Sequence, residues 1–150
     1  MRNCIWSLRT VFFAVFLLMS TAVCAGPLSR YGVFVYSNLC VEDQSGDMAG
    51  NRITIHRFLE GDSVLYEYSN GGLSRPVLAD DVKIDRNIKL VTFRVMMSSQ
   101  DSESITAEIS GEGHLLILRG DWCGHTQVKI PLRLVTDFSR GIDRCVPCPG

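Results

Sequence analysis

The chain has 150 residues, of which 15 are basic and 16 acidic, with 46% hydrophobic residues and six cysteines. That is one domain with enough apolar material for a real core. Its charge is nearly balanced and scattered, which excludes a polybasic binder of nucleic acid or of an anionic membrane surface.

Arg2 and Arg9 flank the start of an apolar run from Val11 to Met19, and Val23-Cys24-Ala25 places small residues before Gly26. The run is far short of the ~20 residues that a membrane span needs, so the pattern predicts a secretory signal peptide over residues 1–25. A lipoprotein signal with an acylated Cys24 is disfavoured, because Val23 stands where a smaller residue belongs. The mature chain, residues 26–150, is then a single secreted or periplasmic domain. No stretch after Gly26 is long and apolar enough to span a bilayer. The leader removes two basic and no acidic residues, which leaves the mature chain slightly acidic. Four cysteines remain, Cys40, Cys123, Cys145 and Cys148, and an even count in an exported chain points to two disulfides.

In chain order, the mature sequence breaks into short β-rich runs. Val33 to Leu39 is the first. Arg52 to Leu59 sets Ile53 and Ile55 against Arg52, Thr54 and His56. Val64 to Tyr68 alternates, and Val77 to Ile84 does so weakly. Ile88 to Met97 is the longest run. Ser104 to Ile109 puts Ile105, Ala107 and Ile109 on one face. His114 to Arg119 is mostly aliphatic, and Gln127 to Val135 opposes Val128, Ile130, Leu132 and Leu134 to Lys129, Pro131 and Arg133. Period-two alternation marks strands with one buried face. The turns between them contain Gly61, Gly71-Gly72, Asn87, Gly111 and Gly120, and no helix is predicted.

Eight sequential strands with short connections predict an all-β fold, a small antiparallel up-and-down, calycin-like barrel; a two-sheet β-sandwich is the alternative. Pro131 cannot donate to a ladder, so the last strand should be bulged there or partly an edge. The predicted core is Ile53, Ile55, Ile105, Ile109, Leu116, Leu118, Ile130 and Leu132. The order of elements resembles calycin-type barrels and the small disulfide-bonded barrel inhibitors of lysozyme from bacterial periplasms. The resemblance is one of architecture, and architecture does not by itself give function.

In such a meander, alternate strands end on the same rim. The connections 40–50, 69–75, 98–102 and 120–126 share one rim, and tight turns occupy the other. Binding residues concentrate on long loops of rigid scaffolds, so Trp122, His125, Arg75 and Asp47 are the candidate ligand or partner contacts. Cys40 and Cys123 fall on that rim and are expected to pair. Cys145 and Cys148 are then expected to close the C-terminal tail.

The remaining motifs have plain readings. Cys145-Val146-Pro147-Cys148 has redox spacing but no following helix to activate a thiol. The acidic stretch from Glu42 to Asp47 lacks the glycine and glutamate of a calcium loop. Arg119-Gly120-Asp121 reads as strand end and turn. His56, His114 and His125 share no metal-ligand spacing, and no nucleophile elbow is present. The expectation is therefore a non-catalytic binding module without metal or cofactor, acting through the barrel mouth and long-loop rim. Its partner would be a small apolar ligand. The alternative is an extracytoplasmic protein, with this chain acting as, for example, an enzyme inhibitor.

Overall fold

Eight β-rich runs become the staves of one nearly closed antiparallel barrel. The structure is a computed structural model that describes residues 31–71, 75–98, 100–111, 113–122 and 125–146, with the side chains of Asp121, Trp122, His125 and Gln127 excepted. The predicted leader at 1–25, Cys123 and Cys148 lie outside the described residues. The strands are β1 Gly32–Ser37, β2 Cys40–Val41, β3 Met48–Arg57, β4 Asp62–Asn70, β5 Arg75–Leu78, β6 Asp80–Asp85, β7 Leu90–Met96, β8 Ser102–Ile109, β9 Leu115–Trp122, β10 His125–Leu134 and β11 Asp143–Arg144. No helix occurs among the described residues.

Around the barrel, β1 pairs with β3, β3 with β4, β4 with β5, β6 with β7, β7 with β8, β8 with β9, β9 with β10, and β10 returns to β1, all antiparallel. The seam is a single run of chain. β5 and β6 follow one another through Ala79, whose amide donates to the Val64 carbonyl at 2.9 Å. The first half of that run pairs with β4 and the second half with β7. A register shift between Asp80 and Lys83 lets the run change partner. Asp81 sits there at φ 52°, a left-handed conformation that a short polar side chain tolerates, and Arg94 holds its carboxylate at 2.8 Å. Counted this way the barrel has eight staves in sequential up-and-down order, and the sandwich alternative falls away.

The inward phase packs Tyr36, Ile53, Ile55, Val64, Val91, Val95, Leu115 and Leu132 out of contact with solvent. An eight-stranded barrel is just wide enough for such side chains to fill it. Ile105, Ile109 and Ile130 join this core, as their alternation predicts. Leu116 and Leu118 do not. Leu115 and Ile117 point inward instead, and the predicted pair is only half-buried. His114 to Leu118 holds four consecutive aliphatic residues, so no polar partner marks which phase faces out. β10 meets β1 only at Leu134 and Arg133, so Pro131 stands beside a stretch of β10 edge that β1 does not cover.

Two of the four long connections turn out to be partly strand. Residues 40–50 fold into β2 and the start of β3, with Glu42 N–H donating to the Asp47 carbonyl at 2.8 Å. Residues 120–126 are mainly the ends of β9 and β10, where His125 lies opposite Trp122.

The disulfide expectation is also corrected: Cys40 bonds to Cys145 rather than to Cys123, and Cys145 is not tied to Cys148. The strand count and directions stand. What parity left out is the tail. After β10, residues 136–142 double back across the outward side of β1 and β3, beside Val35, Arg52 and Thr54. β11 then lies parallel to β2, and Cys145 N–H donates to the Val41 carbonyl at 3.0 Å. Ten extended residues reach ~33 Å, enough to climb the length of a strand. The bond fits an oxidising, extracytoplasmic compartment.

Candidate functional site

Among the described residues, buried side chains fill the middle of the barrel, and an opening lies at one end. There a cavity of about 410 Å³ lies between the ends of β4, β7 and β9 and the starts of β3 and β8. This is the end that the sequence marked as the long-loop rim. Ile105, Ile117 and Ile130 form its apolar wall, with Met97. Asn51, Tyr66, Tyr68, Glu103 and Arg119 supply its polar groups. A second cavity of about 200 Å³ shares Tyr66, Tyr68 and Met97 with the first and is completed by Val77 and Arg75.

Asn51 is the most constrained of these residues. Its backbone N–H donates to Asn38 Oδ1 at 2.7 Å, and its carbonyl accepts from Asn38 N–H at 3.0 Å. Asn38 thereby clamps the start of β3 just where β1 ends. Gly50 makes the close approach feasible. It has φ +113°, and a Cβ there would stand 2.7 Å from the Asn38 carbonyl oxygen. Gly50→Ala should therefore cost about 1–3 kcal/mol through backbone strain and loss of the clamp, read as a lower midpoint in urea. Gly120 is likewise placed by packing, because a Cβ on it would collide with the Ile130 side chain. The β9–β10 register shifts between Ile130 and Val128, and the resulting bulge turns Gly120 toward the mouth.

The Asn51 side chain is 2% exposed. Its Oδ1 accepts the Tyr66 hydroxyl at 2.7 Å, while Nδ2 has no partner. Burial raises the Tyr66 phenol above its ordinary range, and the nearby Glu103 and Tyr68 push the same way. Deeper in the barrel, burial alone pushes Tyr36 up to about 12, and its hydroxyl is unpaired. Both phenols are held neutral by the fold, whereas an unfolded chain ionises them near pH ~10. The corresponding stability is intact below pH ~10 and is lost as pH rises toward the folded values. A circular-dichroism titration should show unfolding in that alkaline window. At neutral pH, Tyr36→Phe should be neutral or stabilising, because it removes an orphaned hydroxyl. Tyr66→Phe should destabilise by about 1–3 kcal/mol, since it strands the buried Asn51 carbonyl oxygen.

Of the predicted contacts, Arg75 lines the mouth. Asp47 is exposed on the β2–β3 turn, where its N–H donates to Ser45 Oγ at 3.1 Å, and it lies outside the cavity lining. Trp122 and His125 are cross-strand partners at the tip of the β9–β10 hairpin. Their side chains lie outside the described residues. Asn51, Tyr66, Glu103 and Arg119 were not singled out as contacts. The usable signal was phase: Asn51 is in step with Ile53 and Ile55, and Glu103 with Ile105 and Ala107. A polar residue continuing a buried phase toward a strand end marks a barrel mouth.

No family model, no curated protein and no solved structure matches the chain. Among the described residues, no group of histidine, cysteine and acidic side chains could hold a metal ion. No helix there is long and apolar enough to cross a membrane.

Proposed function

We propose that this chain is an exported, non-catalytic β-barrel that binds a small amphipathic ligand in its mouth. The observation that carries the reading is Asn51, which lines a cavity of about 410 Å³ and whose buried Nδ2 is a donor without a partner. A buried amide hydrogen without an acceptor costs about 1–3 kcal/mol, which a ligand oxygen would recover. The cavity volume falls within the range of small-molecule sites, and its mixture of isoleucines with a few polar groups is the usual lining of one. Export is supported by the leader pattern and by the Cys40–Cys145 bond.

A second reading takes support from the depth of packing. Because large side chains fill the barrel below the mouth, the cup is shallow, and it suits a side chain inserted by a partner protein such as an enzyme that this domain inhibits. Native mass spectrometry of protein purified from its own compartment separates the two. An adduct of a few hundred daltons, lost in an Asn51→Ser variant, supports the ligand. A protein-sized adduct supports the partner, and bare protein refutes both. Edman sequencing of the same material should begin at Gly26.

A further inference from the structure

We propose that the mouth selects an anion, a small amphipathic carboxylate whose oxygens meet Asn51, Arg75 and Arg119 while its apolar part rests on Ile105, Ile117 and Ile130. The inference deepens the ligand-binding reading above and rests on it. It follows from an inventory of donors. Asn51 lines the cavity, its Oδ1 is taken by Tyr66, and its buried Nδ2 is a donor without a partner. Arg75 and Arg119 can only donate.

Five other arginines are held by carboxylates: Arg52 by Glu67, Arg57 by Asp62, Arg94 by Asp81, Arg140 by Asp143 and Arg144 by Asp43. Arg75 and Arg119 have no such ion pair among the described residues, and both line the mouth from separate strands, β5 and β9. Glu103 is the one acidic side chain among the described lining residues. Among the described lining residues two guanidinium groups thus stand against one carboxylate, on a chain whose predicted mature portion is slightly acidic overall. Guanidinium groups match carboxylate geometry with paired, charge-assisted hydrogen bonds. The isoleucine wall gives the rest of the ligand an apolar surface, so a free inorganic anion would leave half of the site unused.

Three probes with one tail and three heads test this: octanoate, octanol and octylammonium, titrated into the ¹⁵N-labelled mature chain. Octanoate should shift the amides of Asn51, Gly120 and Ile130 and bind tightest. An Arg75→Gln/Arg119→Gln variant should weaken octanoate by about tenfold or more and leave octanol unchanged. Added salt should weaken octanoate alone, since both arginines are solvent-accessible. If octanol binds as tightly as octanoate and ignores the arginine changes, the anion inference fails while the ligand-binding mouth stands. Preferential binding of octylammonium would mean that Glu103 and an inverted Asn51 amide recognise the ligand, which also overturns it. If none of the three probes moves the mouth amides, both readings fail together.

Discussion

Leu115→Ala should destabilise the barrel by about 2–5 kcal/mol, whereas Leu116→Ala, one residue on, should cost less than about 1 kcal/mol. Leu115 has no solvent exposure and sits in the closed part of the core beside Ile117 and Leu132. Removing its isobutyl group forfeits the transfer energy and leaves a void that a closed barrel cannot collapse around. Leu116 stands on the other face of β9, opposite Glu108 and Pro131, and is half-buried. Urea midpoints at constant slope read the difference. The reverse order of effects would place β9 in the opposite phase and, with it, shift Gly120 and Arg119 away from the mouth.

Loss of the Cys40–Cys145 bond should be the other large effect. The two cysteines are separated by 105 residues, so the bond closes a loop containing nearly the whole barrel. For a loop of that length the chain-entropy model gives about 4–5 kcal/mol, and native bonds of this kind typically contribute about 2–4 kcal/mol. The tail has little else to hold it: β11 contributes two residues of parallel pairing, and its Arg140–Asp143 and Arg144–Asp43 ion pairs are exposed. A Cys40→Ser/Cys145→Ser variant should therefore melt about 10 °C lower. Hydrogen exchange should rise along residues 136–146 well before the barrel strands respond. Non-reducing peptide maps of the parent should return a Cys40–Cys145 peptide. A Cys40–Cys123 peptide in its place would refute the path of the tail.

The barrel was legible because most of its staves alternate, and alternation reports directly on which face meets water. β9 was legible as a strand but not in its phase, since Leu115, Leu116, Ile117 and Leu118 carry no polar mark. The bulge that turns Gly120 inward was hidden for a related reason. Gly120-Asp121 has the letters of a turn, and only the Ile130 side chain packed against Gly120 explains why a glycine stands within a strand. The mouth was located by strand parity, while its chemistry was sought among conspicuous residue types. Asn51 carries no local mark, because it precedes the alternating run that begins at Arg52. Its role depends on Asn38, thirteen residues away across β1 and β3, a contact that no local pattern announces. The tail escaped because parity speaks only of strands, and residues 136–142 are not one.

The position of Cys145 also sets a problem of timing. On the proposed export route a chain is delivered from its N-terminus, so Cys40 becomes available first, and Cys123 reaches it before Cys145 has emerged. The pairing that completes the native strap is thus the late one, and the wrong partner arrives early. Efficient production of this domain should depend on an isomerase able to undo a premature Cys40–Cys123 link, and a Cys123→Ser variant should acquire the Cys40–Cys145 bond faster than the parent.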